Sequence, residues 1–420
     1  MIIKGGRLIN PYLNQDGIFD IKIEDGKIKE IAENIEIDSD EVIDATNKIV
    51  SPGLVDIHVH FREPGFTYKE DINSGSLSAA AGGYTSVIAM ANTNPVIDNV
   101  EVLEEVLDIM KKQKIKVYSA AAITEGFKGE KLNNLESLKN MGAVIFTDDG
   151  IPLRNKDIII EALKKSRELD VVLSFHEEDP DFIKTPGYNK GEVAKSLGID
   201  GAPAFSEDLM VARDIILAGE YGGRIDIQHI SSKGAVELVR HGKKMEVDVF
   251  AEVTPHHFSL TEEAVLTHKA MAKMNPPLRT EEDRSAIIEG LKDDTIEVIA
   301  TDHAPHSIEE KSAEDITKAP SGIIGLETAL SLGITNLVRE GHLSMSELIR
   351  KMSYNPARLV GLDAGYLDIG SDADIVIFDE KTPIVYEKYK SKSSNTPFTG
   401  MPLYGKVEYT ICRGEVVYKS

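Results

Sequence analysis

Two histidines one residue apart, His58 and His60, close an apolar run at Leu54–His60. Side chains alternate along a strand, so both imidazoles would project to one side and could grip a divalent ion. Other apolar runs end in comparable groups: Asp148-Asp149 after Ala143–Phe146, His176 after Val171–Phe175, His229 after Ile225–Gln228, and Asp302, His303 and His306 after Ile296–Ala300. A lone histidine at a strand end is more often a hydrogen-bonded structural residue than a ligand. Four histidines and two aspartates at the same end of five separate runs are another matter, because burying them together without a metal is costly. The candidate ligands are His58, His60, Asp149, His176, His229 and Asp302. Neutral imidazoles with a carboxylate suit Zn²⁺ or a similar borderline ion. One ion is expected, or two if Asp149 is shared. A metal-bound hydroxide would be the nucleophile at neutral pH. Asp302 is the candidate general base and acid, carrying a proton to a leaving nitrogen.

A second group of side chains suits an anionic substrate. Arg62 follows His60 by two and so lies on the same side of an extended chain; Asn92, Asn275 and His306 also fall at or just beyond run ends. A guanidinium fork matches a carboxylate bidentately. A substrate with a carboxylate and an amide-type carbonyl follows. Asn94 reads as a turn residue, His256 and His257 as supports of the seventh run, and His303 as pointing away from Asp302.

The elements that must position these groups alternate. Eight β-rich runs, at Leu54–His60, Tyr84–Met90, Ile115–Ala120, Ala143–Phe146, Val171–Phe175, Ile225–Gln228, Val247–Ala251 and Ile296–Ala300, are separated by helix-like stretches such as Val100–Gln113, Lys156–Glu168, Glu207–Tyr221 and Glu281–Leu291. A further helix is expected over Glu327–Arg339. That alternation predicts an α/β protein with a (β/α)8 barrel, whose chemistry sits at the C-terminal ends of the strands. Both chain ends read instead as short strands and turns, so one small β domain is expected from residues 1–52 and 363–420, with the barrel over 53–362.

Composition removes other classes. Lys and Arg number 47 against 70 Asp and Glu, a net charge of −23, which argues against binding nucleic acid. There is no run of about 18 apolar residues, so no membrane span is expected. The opening Met1-Ile-Ile-Lys-Gly-Gly lacks a signal-peptide pattern, and a cytoplasmic protein is expected. A single cysteine, Cys412, rules out an intrachain disulfide and leaves any metal to His and carboxylates.

Several segments together resemble the dihydroorotases of the amidohydrolase superfamily, in their longer type I form. The signatures are Asp56-Ile-His-Val-His-Phe-Arg62-Glu-Pro64 and Ala300-Thr-Asp-His-Ala-Pro-His306 with Lys311 beyond, supported by Gly191–Gly198, Arg213-Asp214, His229–Ser232, Glu252–His257, Asn275–Arg279 and Gly322–Glu327. The resemblance implies reversible cyclisation of N-carbamoyl-L-aspartate to L-dihydroorotate, the third step of pyrimidine synthesis. It makes His58 and His60 ligands of one metal, His176 and His229 of a second, Asp149 the bridge and Asp302 the acid/base. It assigns Arg62, Asn92 and His306 to the substrate α-carboxylate, and Asn275 and the backbone around Ala319, Pro320 and Gly322 to the ring amide. Many relatives in the superfamily bridge their metals with a carboxylated lysine; the run Gly142–Gly150 contains none, and Asp149 takes that place, with Asp148 a rival. The alternatives are another cyclic amidohydrolase, such as a hydantoinase or allantoinase, or a silent scaffold for aspartate carbamoyltransferase. A complex with that carbamoyltransferase, and a homo-oligomer, are the partners the resemblance allows. The Glu- and Lys-rich stretch Ser307–Ser321 is expected to be a lid.

Overall fold

The architecture comes from a computed structural model describing residues 1–37, 39 and 41–420. Five strands open the chain: β1 (Ile2–Asn10), β2 (Gln15–Glu24), β3 (Lys27–Ala32), β4 (Val42–Asp44) and β5 (Ile49–Pro52). Eight more follow in alternation with helices: β6 (Leu54–Val59), β7 (Tyr84–Ala89), β8 (Lys116–Ala121), β9 (Ala143–Phe146), β10 (Val172–Phe175), β11 (Arg224–Ile227), β12 (Val249–Val253) and β13 (Val298–Ile299). The chain ends with β14 (Ile375–Val385), β15 (Pro402–Cys412) and β16 (Glu415–Lys419).

Strands β6 to β13 lie side by side in sequence order, all parallel. A parallel bridge between Val59 and His303, with His60 N donating to His303 O at 2.9 Å, joins the last strand region to the first and closes the (β/α)8 barrel. Every residue of β6 and β7 is buried, as strands covered on both faces must be, which is why they read as unbroken apolar runs. The remaining strands form a second sheet ordered β16-β15-β14-β5-β1-β2-β3, with β4 pairing β1 off this path, so both chain ends meet across the antiparallel β5–β14 pair. It has its own core, including Ile3, Leu8, Ile21, Ile375 and Ile411. Among the described residues, no helix is long and apolar enough to cross a membrane.

Strand boundaries differ from the sequence reading where a preceding helix takes the first residues. Val247 N bonds to Gly242 O and Ile296 N to Gly290 O, so each amide finishes a helix end and the strand starts two residues later. The helix expected over Glu327–Arg339 is α-helical at Ala329–Gly333 and continues as a π-helical turn through Ile334–Val338.

Candidate active site

The strand ends bring all six candidate ligands to one place at the barrel's C-terminal face. His58, His60 and Asp149 form one group of donor atoms within 4.8 Å of one another; His58, His229 and Asp302 form a second, and Asp149, His176 and His229 a third. All are buried. The adjacent carboxylates separate cleanly. Asp149 joins the cluster, whereas Asp148 turns away and accepts bonds from the Thr124 amide and hydroxyl.

The hydrogen bonds fix which nitrogen of each imidazole faces inward. His58 Nδ1 lies 2.5 Å from Glu252 Oε1, leaving Nε2 without a partner, 3.5 Å from both Asp149 Oδ1 and Asp302 Oδ1. His60 Nδ1 lies 2.9 Å from Asn92 Oδ1, and its Nε2 faces Asp302 Oδ1 at 2.9 Å and Asp149 Oδ2 at 3.4 Å. His176 Nε2 meets Glu178 Oε2 at 3.2 Å, which turns Nδ1 toward His229 Nε2 at 2.9 Å. If each outer nitrogen carries the proton, imidazole lone pairs converge on two carboxylates. Such a set is repulsive by itself and complementary to a divalent cation, so these residues fit a metal centre.

The charges within the protein alone show the same strain. Burial would lower the His58 imidazolium's pKa, but Glu252, Asp302 and Asp149 outweigh it and hold it well above the ordinary value. Burial would raise Asp302, yet the facing His58 and His60 pull it below the usual carboxylate range, and Asp149 is likewise lowered well below it. Backbone strain accompanies the cluster. Arg62, His229 and Asp302 have φ of 58°, 34° and 45°, in the left-handed region that non-glycine residues avoid at roughly 1–3 kcal/mol each.

A cavity of about 200 Å³ opens over the cluster and is lined by Arg62, Asn92, Asn275, His306, Ser321 and Gly322 among others. Asn92 spends both ends of its amide on His60 and, at 3.2 Å, on Asp149 Oδ2, so it orients those two residues. Asn275 Oδ1 accepts from Ser321 Oγ at 3.1 Å. Burial, with Arg62, Lys69 and Lys311 nearby, pushes the His306 pKa down to about 2, so the ring is neutral. Its Nε2 donates to Ser321 O at 2.9 Å and its Nδ1 accepts from Lys69 Nζ at 3.2 Å. Pro320 lies outside the lining, its carbonyl accepting from Lys311 Nζ at 3.0 Å. The stretch Ser307–Ser321 folds as short turns of helix tied down by Lys311 Nζ to Gly322 O (2.9 Å) and by Lys273 Nζ to Thr317 O and Ala319 O (both 2.7 Å).

Sequence reasoning gave no role to Glu252, Glu178, Lys69 or Glu70, although Glu252 opens one of the segments that carry the resemblance. Glu252 carried a signal, a lone carboxylate inside the buried strand Val249–Val253. His303 does point away, as expected: its Nε2 meets Glu70 Oε2 at 3.4 Å and its Nδ1 accepts from Gly325 N at 3.1 Å. His257 supports the seventh strand end, bonding Thr254 Oγ1 at 2.7 Å and Pro276 O at 3.0 Å.

Comparison with known proteins agrees with this geometry. A family model described as dihydro-orotase-like matches residues 47–235, and one described as amidohydrolase family matches 325–418. The chain is 55% identical over 421 residues to the dihydroorotase of Clostridioides difficile and 52% identical over 423 to that of Clostridium acetobutylicum, covering all of both chains in each case. It is 50% identical to the Lactococcus lactis dihydroorotase, covering 99% of it. Among solved structures, the L-hydantoinase of Arthrobacter aurescens superposes with a TM-score of 0.89 at 27% identity, over all of this chain and 96% of that one. At 50–55% identity over their full length, the relatives show that this chain belongs to the dihydroorotase family of amidohydrolases.

Proposed function

We propose that the chain catalyses the reversible cyclisation of N-carbamoyl-L-aspartate to L-dihydroorotate and water, in pyrimidine biosynthesis. The observation that carries this reading is the convergence of His58, His60, Asp149, His176, His229 and Asp302 beneath a cavity that also holds Arg62. The five ligands other than Asp302 would hold one or two zinc ions, with Asp149 between the His58/His60 and His176/His229 pairs. Bound ions supply Lewis acidity, polarising an amide carbonyl and acidifying a water.

The chain's own residues do the rest. In the hydrolytic direction Asp302 accepts a proton from the attacking water and delivers it to the ring nitrogen as the C–N bond breaks. In the cyclising direction Asp302 takes the proton from the attacking carbamoyl nitrogen and returns it to the departing carboxylate oxygen, and a second proton, taken up from solvent, completes the water that leaves. Its carboxyl suits that task because it sits at the cavity floor beside the metal ligands, 2.9 Å from His60 Nε2 and 3.5 Å from His58 Nε2. Arg62, which lines the cavity, supplies positive charge for the substrate carboxylate in an otherwise acidic protein, while Lys69 is paired with Glu310 at 3.0 Å. His306, held by Ser321 and Lys69, borders the carboxylate end of the cavity, and Asn275 with the backbone near Gly322 faces the ring amide.

The test is a carbamoyl-aspartate cyclisation assay of the metal-loaded full chain. Turnover supports the reading. Hydrolysis of a hydantoin with no turnover of carbamoyl-aspartate would overturn it in favour of the activity named for the more distant structural neighbour.

A further inference from the structure

After β14 the chain leaves the terminal sheet and crosses the barrel rim before β15 begins. Along this crossing Ser391, Ser393 and Asn395 are buried while Lys392 and Ser394 are exposed. Each inward side chain holds a loop of the catalytic face. Ser391 Oγ donates to Glu70 Oε2, and Ser393 Oγ donates to Lys69 O at 2.8 Å. Asn395, 0% exposed, does most. Its Nδ2 donates to Ala304 O and Gly322 O, both at 3.0 Å, and its Oδ1 accepts from His306 N at 3.0 Å. Its own carbonyl accepts from Ile324 N at 3.0 Å. Two carbonyls and one N–H leave the side-chain amide a single satisfied orientation.

The two stretches joined this way form one wall of the cavity, since Ala304, His306 and Gly322 all line it. They approach too closely for a side chain between them. A Cβ on Gly322, whose φ is 149°, would lie 2.7 Å from Ala304 O and 2.8 Å from His306 Cδ2. Asn395 is absent from the lining, so whatever it does for the ligand it does through His306 and Gly322.

We propose that Asn395 is a positioning residue for substrate recognition, setting where His306, at the carboxylate end, and Gly322, at the ring-amide end, stand against Arg62. The proposal rests on the dihydroorotase reading above. It places a determinant of substrate affinity in the C-terminal part of the chain, far in sequence from every metal ligand.

The test uses the metal-loaded full chain. In Asn395→Ala the KM for L-dihydroorotate should rise about tenfold, with kcat within about twofold of wild type and metal content unchanged. A merely structural role would instead lower kcat through a smaller active fraction and leave KM alone, and that result overturns the proposal, as does an unchanged KM with unchanged kcat. Asn395→Ser, which restores one hydroxyl, keeps the measurement possible if the alanine variant does not fold, and should show a smaller rise. Should wild type fail to turn over L-dihydroorotate, the dihydroorotase reading fails first. Calorimetric binding of orotate then decides for Asn395: an affinity about tenfold weaker in the variant supports it, and an equal affinity overturns it. Wild-type protein that neither turns over L-dihydroorotate nor binds orotate overturns both together.

Discussion

His58 on β6 and Glu252 on β12 meet across the barrel mouth, with Nδ1 and Oε1 2.5 Å apart. That contact decides which nitrogen of His58 looks into the cluster. With a cation bound, the carboxylate would keep the proton on Nδ1 and leave the Nε2 lone pair for the ion in the space between Asp149 and Asp302. Two of the other inward-facing histidines also have an outer partner, Asn92 for His60 and Glu178 for His176, whereas His229 Nδ1 is buried without one.

Glu252→Gln should therefore weaken metal binding. A glutamine amide can still accept from Nδ1, but it removes the charge that makes His58 a strong donor. Zinc affinity, measured by competition with a chromogenic chelator, should fall by roughly 10- to 100-fold. Unchanged affinity would show that the His58 tautomer is set elsewhere.

Asp302→Asn should lower turnover by roughly 10²–10⁴ while His58, His60, Asp149, His176 and His229 still hold the metal, because the change removes proton transfer. Steady-state kinetics with elemental analysis on the same sample separate the two effects. Near-normal turnover would remove Asp302 from its role.

Much of this was legible in the sequence, for identifiable reasons. Barrel strands covered on both faces must be continuous apolar runs, and the polar residues that interrupt their ends stand out, which exposed His58, His60, His176 and His229. Asp149 could be told from Asp148 only by the family spacing; in the structure the Thr124 contacts account for Asp148. Lys69 and Asn395 were not legible. Lys69 sits in an irregular loop with no period to mark it, and the role of Asn395 depends on hydrogen bonds to backbone groups 91 and 73 residues away. Strand starts at Val249 and Val298 were missed because helix-end hydrogen bonds claim the preceding apolar residues.

Arg62→Met should raise KM for the carboxylate substrate with a smaller effect on kcat, since the guanidinium recognises a group that does not react. Initial-rate kinetics check this directly. An unchanged KM would remove Arg62 from carboxylate recognition.

Stability should depend on Glu327. Burial, with Glu70 close by, pushes its carboxyl up to about 7 despite hydrogen bonds from Ser78, Lys390 and Ser391. A carboxyl whose folded pKa exceeds its unfolded value binds more protons when folded. Its stabilising contribution is therefore full below about pH 4.5 and lost as pH rises toward about 7. Glu327→Gln should remove this dependence and stabilise the protein at pH 8 by on the order of 2 kcal/mol. Denaturant unfolding of both proteins at pH 5 and pH 8 measures it; an equal difference at the two pH values would contradict it.

The most direct measurement is carbamoyl-aspartate cyclisation by one preparation as purified, after chelation and after reloading with zinc, with metal content determined at each stage. The expected result is one or two divalent ions per chain as purified, activity lost with the metal and regained with zinc. Full activity in protein stripped of metal would contradict the reading of His58, His60, Asp149, His176 and His229 as a metal centre.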